Sequence, residues 1–159
     1  MSWVFDKLID FFLWIVRLFR SRPRLSVEYA SRGGSSSAGS PNKLTVRWHY
    51  RVTITNLSKE DALDLTVIRT NIPELEKLGV HHLKGLDHLE LKCQLVKELD
   101  KETVVSARHD FHGVLEPTEL KELVLVLRYK SDSGVTSYTS YTRSRENPNT
   151  WSFRQPKPV

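Results

Sequence analysis

Six histidines, one cysteine and several closely spaced arginines are the residues in this 159-residue chain whose chemistry could go beyond packing. A structural metal needs three or four His, Cys or carboxylate ligands at short, regular spacing. His81, His82 and His88 fall in a polar connection, and His109 and His112 flank Asp110 and Phe111. Residues three apart on a strand point to opposite faces. The second pair could therefore share a metal only in a turn, and no further ligand cluster accompanies it. No metal or other cofactor is expected. Cys93 alternates with Leu91 and Leu95, the pattern of an inward thiol rather than a nucleophile. As the only cysteine it allows no internal disulfide. No Gly-x-Ser-x-Gly elbow surrounds any serine, and Asp61/Asp64 and Glu74/Glu76 read as solvated charges in turn-like stretches. The chain is expected not to be an enzyme.

The arginines make a more specific pattern. In LTVRWHYRVTITN, residues 44–56, polarity changes at every step. Leu44, Val46, Trp48, Tyr50, Val52 and Ile54 form an inner strand face, which leaves Arg47, His49 and Arg51 together on the outer one. Residues two apart on a strand repeat at about 7 Å, so these three form a basic ladder. Guanidinium groups suit phosphate or carboxylate, and His49 would make such a contact pH-dependent. With Arg143 and Arg145 from a later Tyr-rich strand, the ladder is the expected anion- or partner-binding face. The alternative is a solvated sheet face with edge-protecting charges. A net charge of +5, basic at both flanks and acidic between, fits an anionic neighbour. Membrane lipids, an unknown protein or an anionic small molecule such as a nucleotide are the expected partners, with a homo-oligomer as a further expectation. Specific nucleic-acid binding is not expected.

Two kinds of element must position these groups. The first is the N-terminal segment SWVFDKLIDFFLWIVRLFR, in which nothing breaks a helix before Pro23. An eighteen-residue helix is about 27 Å long, close to one bilayer core. Trp3, Phe5, Leu8, Phe11, Phe12, Trp14, Ile15 and Phe19 are its expected membrane residues, and Asp10 is an intramembrane polar group. About a dozen apolar residues contribute roughly −4 to −7 kcal/mol on an insertion scale, and Asp10 returns about 3. Spanning and interfacial placements both stay open. Arg17, Arg20, Arg22 and Arg24 follow the apolar run, so the positive-inside rule places the C-terminal domain in the cytoplasm, with the single N-terminal helix in the cell inner membrane. Without a basic n-region or a small-residue cleavage site, the segment reads as an anchor rather than a signal peptide.

The second kind is a series of short strands. LSVEYAS, the 44–56 segment, residues 63–67, HLELKCQLV, ETVVSAR, LKELVLVLRY and VTSYTSYTRSR alternate or run apolar between turn signals, and TWSFRQ adds an edge. NIPELEKLGV reads as a crossover with one helical turn, and SDSG as a tight turn. The expected fold class is mainly β: an N-terminal hydrophobic or amphipathic helix, residues 1–22, followed by an antiparallel immunoglobulin-like β-sandwich over 23–155. Residues 31–42, SRGGSSSAGSPN, are expected to be a flexible loop, and 156–159 a tail.

WHYRVTITNLSKEDALDLTV and GVLEPTELKELVLVLRY resemble the strand–turn–strand and the later Leu-x-Pro turn of immunoglobulin-like accessory domains of prokaryotes, of the CARDB kind. The resemblance covers about residues 44–130 and implies a binding or spacer module. Two functions follow as expectations. One is a membrane-anchored, non-enzymatic interaction module that presents a cytoplasmic β-sandwich. The other is a small membrane effector whose sandwich senses an anionic ligand and whose helix oligomerises, with Asp10, to perturb the bilayer.

Overall fold

A computed structural model describes residues 22–38, 40–102 and 116–157, together with positions 7, 9 and 11. The expected membrane residues Trp3, Phe5, Leu8, Phe12, Trp14, Ile15 and Phe19, and Asp10, lie outside the described residues. So do His109, His112 and most of the ETVVSAR segment. Phe11 is described and exposed. Among the described residues, no helix is long and apolar enough to cross a membrane.

Among the described residues, eight strands form two antiparallel sheets. They are β1 (Leu25–Ala38), β2 (Lys43–Asn56), β3 (Ala62–Thr70), β4 (Gly79–Leu83), β5 (His88–Asp100), β6 (Val124–Lys130), β7 (Thr136–Thr142) and β8 (Asn149–Ser152). One sheet has the order β1-β2-β5, the other β4-β3-β6-β7-β8. The single-turn helices α1 (Pro73–Glu76) and α2 (Thr118–Lys121) tuck Leu75 and Leu120 under the sheets.

Strand periodicity explains the core. In β2, Val46, Trp48, Tyr50, Val52 and Ile54 are all buried, Trp48 at 4 % exposure, and Arg47, His49 and Arg51 face out. They meet Leu25 and Val27 of β1, Leu95 of β5, Leu65 of β3, and Leu125, Leu127 and Tyr129 of β6 in one cluster shared by the two sheets. A face-to-face pair of sheets needs this interleaving of inner side chains. Strand β6 is apolar on both parities because it lies between β3 and β7, and because its outward Val126 is also buried.

Two expectations change. Over residues 31–38 the Ser- and Gly-rich segment is strand rather than loop: β1 continues through them and pairs with β2 as far as Ala38 opposite Leu44. Backbone bonds to a long, regular partner strand hold a sequence that has no core-forming side chains. The Gly–Gly pair has a structural task here. The register shifts between Ser31 and Gly34, with Gly33 at φ 85°, a left-handed backbone suited to a bulge. A Cβ on Gly34 would stand 3.0 Å from Cδ1 of Trp48, so the missing side chain is what admits the indole. Likewise, His81 and His82 lie on strand β4 rather than in a connection. The turn at SDSG, with Gly134 N–H donating to Ser131 O at 2.8 Å, and the final edge strand β8 are as expected.

Candidate functional site

The β2 ladder is placed as expected but is electrically balanced. Register puts Lys43, Arg47, Arg51 and Lys92 on the outer face of the β1-β2-β5 sheet together with Glu28, Glu90, Glu98 and Asp100. Arg51 pairs with Glu90 at 3.2 Å, Lys43 with Glu98 at 4.0 Å, and Arg47 donates to Ser37 Oγ at 3.0 Å. His49 is exposed between the two arginines. Four cations facing four carboxylates give no net field for an anion.

Arg143 and Arg145 belong to the other sheet, beyond β7, and do not join the ladder. Arg143 is committed to structure. It bonds Glu116 at 2.8 Å and Leu120 O at 2.8 Å, and its guanidinium lies 4.0 Å from the centre of the Tyr29 ring. Burial alone would raise the Glu116 pKa, yet Arg143 and the Tyr29 hydroxyl outweigh it and hold the carboxyl below its ordinary range. Burial, followed by the hydrogen bond to Glu116, pushes the Tyr29 phenol well up. This triad clamps β1 to the segment that leads into α2.

Arg145 instead rims a groove of about 670 Å³ on the outer face of the five-stranded sheet. Arg69, Arg145, Arg154 and Lys157 line it, and none of the described lining residues is acidic. Its floor comes from outward side chains of β6, β7 and β8, among them Val126, Ser140 and Thr150, which are cross-strand neighbours. The far wall is the C-terminal stretch. Arg69 donates to Pro156 O at 2.7 Å and to Lys157 O at 3.1 Å, which holds that stretch across the sheet. Arg145, Arg154 and Lys157 are exposed. The Ser140 hydroxyl, buried in the floor, has no hydrogen-bond partner among the described residues. Trp151 stands at the edge, half-exposed, with its indole N–H donating to Leu25 O at 2.8 Å. Two smaller clefts, each about 330 Å³, mix acidic and basic side chains.

Strand β8 is fixed by more than its ladder. Asn149 spans the two sheets like a backbone unit: Val27 N–H donates to its Oδ1 at 2.9 Å, and its Nδ2 donates to Val27 O at 3.0 Å. The groove wall is therefore tied to the sandwich. Sequence reasoning missed Arg69, Arg154 and Lys157, which are far apart in the chain and meet only through strand order. The one sequence signal was the net positive charge of the C-terminal segment.

The remaining titratable candidates have structural settings. Cys93 is a half-buried free thiol whose pKa burial raises, the opposite of an activated nucleophile. His82 bonds Asp61 at 2.5 Å, and that contact, followed by Gly85 N–H, holds the Asp61 carboxyl below its ordinary range. No protein-family model, curated protein or solved structure matches this chain.

Proposed function

We propose that the chain is a non-enzymatic binding module, an immunoglobulin-like sandwich held at the inner face of a cell membrane by its N-terminal segment, whose cationic groove takes a phosphate-bearing ligand. The strand orders β1-β2-β5 and β4-β3-β6-β7 suit the immunoglobulin-like part, because the chain changes sheet at β2–β3, β4–β5 and β5–β6, as in a Greek-key sandwich. The accessory-domain resemblance, with its implied binding or spacer role, belongs to the same reading. The groove carries it: among the described residues, four cations, no acidic side chain and an orphan hydroxyl line one concave surface. Such a set focuses field on an anion, and arginine matches phosphate oxygens with two donors at a time.

The test is calorimetric titration of the full chain in detergent with inorganic pyrophosphate and a nucleotide panel, at low and high salt. Binding should weaken with salt and be lost in an Arg145→Gln/Arg154→Gln/Lys157→Gln variant that keeps its circular dichroism. An Arg47→Gln/Arg51→Gln variant should bind as the parent does. Loss in the β2 variant and retention in the groove variant would move the site to the ladder and overturn the assignment.

A further inference from the structure

At the end of the sandwich where the chain arrives from its N-terminal segment, two turns are locked together, and each shows an apolar tip to solvent. Leu57 N–H donates to Arg24 O at 2.8 Å, so the turn after β2 lies directly against the incoming chain. Leu86 N–H donates to Ser58 O at 2.8 Å and joins the turn before β5 to the first. Asn56, fully buried, holds both: its Nδ2 donates to Glu60 O, Lys84 O and Leu83 O, and its Oδ1 accepts from Ser58 N–H and Oγ. Gly85 permits the contact, since a Cβ there would fall 2.2 Å from Lys59 O. A surface this strongly fixed is not a loose loop that happens to expose side chains.

What it displays is unusual. Leu57 is 53 % exposed and Leu86 is 66 % exposed, two large apolar side chains on adjoining tips. Leu86 also sits at φ 61°, a left-handed conformation that bulky side chains adopt at a cost and that Gly or Asn would accept readily. Neither burial nor backbone preference accounts for leucine there. Lys59, Lys84 and Arg24 are exposed around the two tips. Three carboxylates share this end: Asp61, which accepts from Gly85 N–H and contacts His82, the half-buried Glu60, and the exposed Asp87, which accepts from His88 N–H; Arg22, Arg24, Lys59 and Lys84 outnumber them. Phe153, 65 % exposed and capped by Arg22 at 4.3 Å, extends the apolar surface along the same end.

We infer that this end of the sandwich is a docking surface for an anionic lipid bilayer, with Leu57 and Leu86 entering the headgroup–acyl boundary and Lys59, Lys84 and Arg24 meeting lipid phosphates. The inference rests on the reading that the N-terminal segment is membrane-held. That segment ends a few residues before Arg24, so a bilayer that takes it brings these turns to its own surface. Amphipathic surfaces of this kind bind through apolar burial and attraction to anionic lipid together. The sandwich is then not tethered at random but stands on one end, with the groove opening along its side.

The test uses the full chain with Cys93→Ser and one of Leu57→Cys, Leu86→Cys or, as a control on the outer face of β5, Val96→Cys, each carrying an environment-sensitive fluorophore. The vesicles are phosphatidylcholine with or without phosphatidylserine and contain lipid-borne spin quenchers. Probes at 57 and 86 should shift to the blue and be quenched, the probe at 96 should not, and phosphatidylserine should strengthen the effect. A folded Leu57→Ser/Leu86→Ser chain should lose roughly tenfold or more in vesicle partition. If the chain sediments with vesicles while probes at 57 and 86 stay wet, docking is wrong and the membrane anchor stands. Probes that are shielded yet unquenched show that protein, not lipid, covers the turns, which also overturns it. A chain that never sediments removes the anchor and the docking surface together.

Discussion

Replacing Asn56 tests whether the paired turns are held as described. Its side chain has no exposed surface. It donates to carbonyl oxygens at 2.7, 3.2 and 3.3 Å and accepts from Ser58 at 2.8 and 3.1 Å. The amide carries two hydrogens, so one of the three donor contacts is shared and about four full bonds remain. At a net value near 1 kcal/mol each, and with part recovered by water entering the space, Asn56→Ala should cost about 2–4 kcal/mol. For a domain of this size that lowers Tm by roughly 10 °C. Asn56→Asp should be worse at neutral pH, because it turns a carboxylate oxygen toward carbonyl oxygens in a buried site. Its folded-state pKa would be raised above the unfolded value. The protonated form therefore fits the fold, and the variant should regain stability as pH falls and lose it as pH rises through that value. Urea unfolding of the full chain in detergent, followed by tryptophan fluorescence at pH 7 and pH 5, measures both. An Asn56→Ala chain within about 0.5 kcal/mol of the parent, the scatter of ordinary surface substitutions, would refute the hub.

Three further outcomes are expected. Trp48→Ala, which removes the largest inward side chain of β2, should cost about 3–5 kcal/mol by the same unfolding assay, and an unchanged midpoint would invert the face assignment. Leu86→Gly should raise stability by about 0.5–1 kcal/mol, since glycine relieves the left-handed backbone; a lower Tm by scanning calorimetry would mean the leucine packs within the fold. Glu116→Gln should abolish an acid-sensitive contribution. The parent's Glu116 is held below its ordinary value of 4.5, so its stabilisation is complete above that pH and fades as pH falls through the lower folded value. The difference between parent and variant urea midpoints should accordingly shrink on acidification below about 4.5, and a gap that is constant or widens would contradict the Arg143 pairing.

Much of the sandwich was legible because strand alternation is a local signal. The two parities of β2, the apolar run of β6, the SDSG turn and the last edge strand can each be read within a dozen residues. What failed needed a partner strand to interpret. Residues 31–38 have the composition of a linker, but β2 offers a long unpaired edge, and hydrogen bonding to it outweighs composition. The glycines that signalled a loop are the ones a bulge and the Trp48 indole require. The groove was hidden for a related reason. Arg47, His49 and Arg51 are near one another in sequence, so they looked like a cluster, yet the neighbouring strands bring Glu28, Glu90 and Glu98 onto the same face and cancel them. Arg69, Arg145, Arg154 and Lys157 are spread over almost ninety positions of the chain, and only the β3-β6-β7-β8 order and the Arg69 hold on the C-terminal stretch bring them together. Charge is legible in a sequence as a sum. Whether it becomes a field depends on which strands are neighbours, and here that places the cationic surface on the sheet opposite the one with the more obvious arginines.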